Sequence, residues 1–184
     1  MDPDPHFEPI QTARLRLRRS LPDDAAIISA YRTDPDVHRY QGWDRTDVEG
    51  VRAEIELMHA REPGAPGGWV QLSVEELDGG RLVGDVGLSP SDHEPGVIKI
   101  GYTISPDHQG QGYATEAVEA LIGYAFDRLG AQTVRAYASA ENTPSIRLAE
   151  RVGMHLVESI EHREGDQVWH GVRYEVQRSE QPDD

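Results

Sequence analysis

The 184 residues contain no cysteine. That absence excludes disulfides, thiolate metal ligands and any cysteinyl acyl intermediate. Lysine and asparagine are almost missing too: Lys99 and Asn142 stand alone in their kinds. A coding bias explains such scarcity, so what matters is where the two fall. Positive charge is short overall. Eighteen Lys plus Arg face 33 Asp plus Glu, a net charge of −15 and an isoelectric point near 4.8. Nucleic-acid phosphates would be repelled, so no nucleic-acid partner is expected. A cationic acceptor is favoured slightly. No apolar run approaches the roughly 18 residues that cross a bilayer, so no membrane partner is expected. The opening Met1-Asp2-Pro3-Asp4-Pro5 is acidic and lacks the apolar core of a signal peptide. The expectation is a cytoplasmic protein. The eight histidines show no HxxxH or similar spacing, so no metal is expected. Asn142-Thr143-Pro144 lacks the hydroxyl that a glycosylation site needs.

Hydrophobic residues make up 37% of the chain and mean hydropathy is −0.62. The apolar residues are spread along the chain, which argues against disorder throughout. The length suits one domain of about 150 residues plus ends. The expectation is a single domain over 10–178, with flexible termini at 1–9 and 179–184. Arg14-Leu15-Arg16-Leu17-Arg18 alternates and reads as a strand with one apolar face. A helix is expected over 22–32, burying Ile27, Ile28 and Tyr31. Thr46 and Glu49 have capping-box spacing ahead of Val48, Val51, Ile55 and Met58, a second amphipathic helix. Strands are expected over 69–75 and 82–88, joined at Asp78-Gly79-Gly80, and over 97–104. A long helix over 115–129 carries Val118, Leu121, Ile122, Ala125, Phe126 and Leu129 on one stripe. A strand over 133–139 follows. Thr143 and Pro144 fit an N-cap and a first helical position. Two last strands, 156–163 and 168–178, turn at Gly165-Asp166. The fold class is α/β (α+β), a mixed sheet with helices on its faces.

The most informative segment is Asp107-His108-Gln109-Gly110-Gln111-Gly112-Tyr113-Ala114-Thr115. Its glycines let the backbone turn sharply, and the helix behind it starts with N–H groups that have no intrahelical partner. Together these suit a diphosphate. No Lys or Arg lies in the loop, so backbone amides would do most of the binding. A Walker loop would need a lysine after the last glycine. A Rossmann fingerprint would need a third glycine where Thr115 stands.

The run Gln-Gly-Gln-Gly-Tyr-Ala-Thr-Glu-Ala, 109–117, resembles the acetyl-CoA loop of the GCN5-related N-acetyltransferases (GNAT), and more narrowly their RimJ/RimL-like branch. Further matches stand in the right order. They are Thr12-Ala13-Arg14-Leu15-Arg16-Leu17-Arg18 with Pro22-Asp23-Asp24-Ala25, then Gly101-Tyr102 and Pro106. Glu141-Asn142-Thr143-Pro144-Ser145-Ile146 and Glu150-Arg151-Val152-Gly153-Met154 complete the set. The resemblance covers about 12–178. It implies a mostly antiparallel sheet of about seven strands flanked by about four helices. It also implies acetyl-CoA as the acetyl donor, bound by backbone N–H groups of Gln109, Gly110, Gln111, Gly112, Tyr113 and Ala114. Ile104 and Ser105 would pair with the pantetheine arm as an added strand. Asn142 would bond the pantetheine or its surroundings, and Ser145 would lie near the thiol. A backbone N–H near Tyr102 would polarise the carbonyl. Tyr40 and Trp43 would wall the acceptor pocket.

One departure is sharp. Many relatives carry Glu where this chain has Lys99, ahead of Ile100-Gly101-Tyr102. A protonated Lys99 cannot accept a proton, but it can meet an acidic group of the acceptor. Other candidates for a base are Asp85, Asp92, His93, Glu94 and His108. A water chain, or an amine that is already neutral, serves equally. The leading expectation is acetyl transfer to a primary amine by direct attack in a ternary complex. The acceptor is a protein N-terminus, an aminoglycoside-like or polyamine base, or a small metabolite amine. The alternative is a catalytically degenerate acyl-CoA-binding or scaffolding module, and a nucleotide-binding regulator is a third. The last strands, with Trp169 and Tyr174, offer an edge through which a homodimer can pair.

Overall fold

The computed structural model of the chain describes residues 3–43, 45–164 and 167–178. The expected turn at Gly165-Asp166 and the tail at 179–184 lie outside the described residues. Eight strands form a sheet: β1 (Ile10–Gln11), β2 (Leu15–Arg19), β3 (Val70–Glu76), β4 (Leu82–Pro90), β5 (Val97–Ile104), β6 (Thr133–Ser139), β7 (His155–Glu164) and β8 (Gln167–Gln177). Their order is β1-β2-β3-β4-β5-β6-β8-β7. Every neighbouring pair is antiparallel except β5–β6. The helices are α1 (Ala25–Arg32), α2 (Pro35–His38), α3 (Val48–His59), α4 (Tyr113–Asp127) and α5 (Thr143–Arg151). The mixed, mostly antiparallel fold is as expected. The extra strand is the two-residue β1, and the extra helix is α2, a single turn capped by Asp34. Four residues are too short to show a helical period. Among the described residues no helix is long and apolar enough to cross a membrane.

The two helical layers differ in chemistry. The stripe of α4 is buried in full and packs on Leu15, Leu17, Leu72, Val86, Leu88 and Ile98 in the main core. Helices α1 and α3 form a smaller cluster of Ala25, Ile28, Tyr31, Val51, Ile55 and Leu82. Near their end of the sheet the buried residues include Ser73, Glu75 and Asp85. Ile27 is 48% exposed, contrary to expectation. In α1 the inward face is set by Ile28 and Tyr31, three apart, and Ile27 falls outside that arc. Two helix starts also differ from expectation. Asp47, not Thr46, caps α3 by accepting from the Gly50 N–H at 2.9 Å. The Thr46 carbonyl is bound instead by the Ser29 hydroxyl at 2.6 Å. Helix α4 begins at Tyr113, two residues before the expected start, because Gly112 takes the cap position.

A buried ionic cluster ties α1 to the sheet. Asp24 accepts from the Arg18 guanidinium at 2.7 and 3.0 Å, from the Leu21 N–H at 2.7 Å and from the Ser73 hydroxyl at 3.0 Å. Burial pushes its carboxyl up, but the bonds from Arg18, Leu21 and Ser73 outweigh that and hold it below the usual range. Asp24→Ala would strand Arg18 half-paired and is expected to cost about 3 kcal/mol in urea unfolding at neutral pH. A loss under about 1 kcal/mol contradicts the assignment. Because the folded value is depressed, this stabilisation is present above the ordinary aspartate value of about 3.9 and lost as pH falls through the folded one. Residues 3–9, expected to be loose, are tied at Asp4: its N–H donates to the Pro63 carbonyl at 2.9 Å, and its carboxylate accepts from the Tyr124 hydroxyl at 2.9 Å.

Candidate active site

The β5–β6 ladder stops at Ile100 opposite Ala136, although β5 runs on to Ile104 and β6 to Ser139. The two strands therefore part, leaving one edge of β5 without a strand partner among the described residues. The Ser105 N–H bonds to the Val83 carbonyl on β4 at 2.9 Å. By antiparallel alternation the main-chain groups of Thr103 and Gly101 also face β4, and those of Tyr102 and Ile104 face the open edge. The Ile104 carbonyl there accepts from the Gln109 side chain at 3.0 Å. Ser105, expected to pair with a pantetheine arm, has spent its N–H on β4.

Beyond β5 the chain turns through Gln109 to Gly112 into α4. Gly110 and Gly112 have φ of +73° and +83°, a left-handed conformation that side chains with a Cβ resist. The Gln109 N–H bonds back to the Pro106 carbonyl at 3.3 Å. The N–H groups of Gly110, Gly112, Tyr113 and Ala114 make no main-chain hydrogen bond among the described residues. They converge at the positive end of a fifteen-residue helix.

Two arginines distant in sequence reach this loop. Arg14 donates to the Gln111 carbonyl at 3.0 Å and to Glu116 at 2.7 Å, and its guanidinium stacks 4.7 Å over the Tyr113 ring. Glu116 also accepts from the Thr12 hydroxyl and the Arg14 N–H at 2.5 and 2.8 Å. Burial would raise the Glu116 carboxyl, yet Thr12 and Arg14 hold it below the usual range. Arg151, at the end of α5, donates to the Thr115 hydroxyl at 3.3 Å. Both arginines belong to recognised sequence motifs, but only the fold brings those motifs to the glycine loop.

At the start of α5, Asn142 is the N-cap, in place of the expected Thr143. Its side-chain oxygen accepts from the Ser145 N–H at 3.2 Å. The Tyr102 hydroxyl lies 2.9 Å from the Ser145 hydroxyl and donates to the Ser145 carbonyl at 3.1 Å. Burial pushes the Tyr102 phenol up, against the pull of the Ser145 hydrogen bond. The part played by the Tyr102 side chain was not visible in sequence, where only its backbone was singled out.

One cleft of about 1160 Å³ joins these parts. It is lined by Tyr102, Ile104, Gln109, Gly110, Gly112, Tyr113, Ala114, Asn142 and Ser145, and by Tyr40 from beyond α2. His108 also lines it, with Nδ1 buried and without a hydrogen-bond partner. Gln41 and Thr103 join across its wall by a 3.1 Å bond. Several of the singled-out residues stand outside this lining, Ser105, Gln111, Asp92 and His93 among them. Lys99 pairs in register with Ser89 and Arg135, on the opposite face of β5 from Tyr102, and is not among the lining residues. Asp85 is buried beneath, accepting from Tyr31 and Gln71. Burial pushes its carboxyl up, against the charge of Arg32. Trp43 lies under the Arg32 guanidinium at 4.7 Å. Glu94, a candidate base, is bound by Arg135 at 2.5 and 2.8 Å.

A parted strand pair beside an amide-lined helix start is the arrangement of an acyl-CoA-dependent acetyltransferase. A family model for the acetyltransferase (GNAT) domain matches residues 14–155, and the chain belongs to that family of N-acetyltransferases, whose members use acetyl-CoA. It is 34% identical over 143 residues to the uncharacterized N-acetyltransferase p20 of Bacillus licheniformis, covering 77% of this chain and 79% of p20. A GNAT-family acetyltransferase from Bacillus anthracis has a similar structure, with a TM-score of 0.80 and 25% identity over 94% of this chain and all of that one. RimJ of Mycobacterium smegmatis, in complex with CoA-disulfide, has the same fold at a TM-score of 0.79 and 21% identity, covering 92% of this chain and 84% of its own. The fold is thus RimJ/RimL-like.

Proposed function

We propose that this chain moves an acetyl group from acetyl-CoA to a primary amine by direct attack in a ternary complex. One observation carries the reading. A single cleft has unpaired N–H groups at one end and the Tyr102–Ser145 hydroxyl pair at the other, joined by the open edge of β5. The N–H groups of Gly110 to Ala114 would hold the diphosphate. Gln109 braces the loop through its side chain rather than its N–H. Tyr102 and Ile104 would meet the pantetheine arm and the thioester carbonyl with their outward main-chain groups. The amine nitrogen attacks the thioester carbon, the carbon–sulfur bond breaks, and the leaving thiolate takes a proton from the Tyr102–Ser145 pair. The proton shed by the amine passes to water, and solvent returns one to the Tyr102–Ser145 pair. Asn142 shapes the start of α5 and so places Ser145. The acceptor would enter past Tyr40 and Gln41. A protein N-terminus, an aminoglycoside-like or polyamine base and a small metabolite amine are the three acceptor classes that compete.

The test is release of free CoA thiol from acetyl-CoA, with a panel drawn from those three classes. Release that depends on one class, with an equal yield of acetylated amine, is expected. Tight acetyl-CoA binding with no transfer to any amine would point instead to an acyl-CoA-binding module. A second test concerns the clasp behind the loop. Glu116→Ala releases Arg14 and Thr12 together, so KM for acetyl-CoA is expected to rise about tenfold with kcat changed less than about threefold. A loss confined to kcat contradicts that positioning role.

A further inference from the structure

Three arginines line the cleft, and two of them are paired. Arg14 bridges Glu116 at 2.7 Å, and Arg39 reaches Asp36 at 4.0 Å. Arg151 has no acidic partner among the described residues; it donates to the Thr115 hydroxyl. An unpaired cation at the rim of a cleft is notable in a chain of net charge −15. Its place in the fold gives it a ligand. Helix α5 runs beside the cleft from Ser145, at the hydroxyl pair, to Arg151, six residues or about 9 Å further along the axis. There Arg151 touches the first turn of α4, where the loop amides end. With the reach of the Arg151 side chain added, α5 links the hydroxyl pair at one end of the cleft to the first turn of α4 at the other.

Coenzyme A carries a third phosphate there. Its ribose joins the diphosphate at the 5′ position and bears a phosphomonoester at the 3′ position, one sugar away. We infer that Arg151 binds the 3′-phosphate of the donor and makes the chain discriminate coenzyme A from 3′-dephospho-coenzyme A. The inference rests on the acetyl-CoA reading of the cleft. A guanidinium presents a planar fork of donors to a phosphate dianion, and this pair strengthens without any new buried charge. The Thr115 hydroxyl holds the fork over the loop. Arg14 is less suited to the same role, because the Glu116 carboxylate neutralises its charge and the Gln111 carbonyl takes a further donor. Glu119, exposed on the same rim, would repel an unescorted phosphate, so the pairing depends on Arg151.

The test is equilibrium binding of coenzyme A and 3′-dephospho-coenzyme A to the full chain, to Arg151→Ala and to Arg151→Lys, with thermal melts to show that each variant is folded. The wild type is expected to bind coenzyme A about tenfold more tightly than the dephospho form, a modest ratio because the site is solvent-exposed. Arg151→Ala should bring the ratio close to one by weakening coenzyme A alone. Arg151→Lys should keep part of it, having charge without the fork. Equal affinities in the wild type overturn the inference. So does an Arg151→Ala variant that keeps the ratio, or one that weakens both ligands alike. Failure of the wild type to bind either ligand overturns the acetyl-CoA reading, and this inference with it.

Discussion

Gly112→Trp is expected to abolish acetyl-CoA binding, lowering affinity by about a hundredfold or more while the fold persists. Two effects combine. Gly112 sits at φ +83°, where a residue with a Cβ costs about 1–2 kcal/mol. A Cβ there would also come within 3.3 Å of the Arg14 guanidinium, and the indole beyond it would occupy the space where the loop amides converge. Gly112→Ala separates the two effects. It keeps the strain without the bulk, so affinity should fall about tenfold at most. Isothermal calorimetry on both variants, with thermal melts as the control for folding, checks this. A tryptophan variant that stays folded and binds as tightly as the wild type would move the diphosphate away from this loop.

The second large effect is expected at Tyr102. Tyr102→Phe removes the hydroxyl that faces Ser145 at 2.9 Å and should lower kcat about 10²-fold, the usual size of a proton-transfer contribution, with little change in KM for acetyl-CoA. Ser145→Ala should cost less, because the Tyr102 phenol keeps the Ser145 carbonyl as a partner. If the two hydroxyls act as one donor, the double variant is no slower than Tyr102→Phe alone. Multiplicative losses would show independent roles. The pH profile gives a further check with a definite sign. The phenol is raised above its ordinary value of about 10, so it stays protonated through the assay range, and kcat should show no falling limb below about pH 10 assignable to it. A falling limb near neutrality that disappears in Tyr102→Phe contradicts its role as the acid.

Most of the sheet was legible in the sequence because its strands carry alternation and its long helix carries an unbroken stripe. Val97–Ile104 and Thr133–Ser139 form at the expected bounds. The glycine loop was legible because left-handed turns and helix starts leave residue-type signatures. What escaped were contacts across the chain. Thr12 and Arg14 meet Glu116 more than a hundred residues away, and nothing local in either motif announces the other. Lys99 was singled out for standing at a motif position. Alternation places Lys99 on one face of β5 with Gly101 and Thr103, which do line the cleft, but Lys99 stands further back, in register with Ser89 and Arg135 and outside the lining. Asp85 was singled out as a candidate base and Trp43 as a wall of the acceptor pocket. Their environment is set by Tyr31, Gln71 and Arg32, brought in from α1 and β3. Chemistry at a position is readable from one sequence; the identity of its neighbours is set by tertiary packing.

The central claim is that the parted β5–β6 edge and the Gly110–Ala114 amides form an acetyl-CoA site. Calorimetric titration of the unaltered chain with acetyl-CoA tests it most directly. Saturable micromolar binding, with a single acetyl-CoA taken up per chain, is the predicted result. A folded chain that takes up no acetyl-CoA at millimolar concentration would contradict the account.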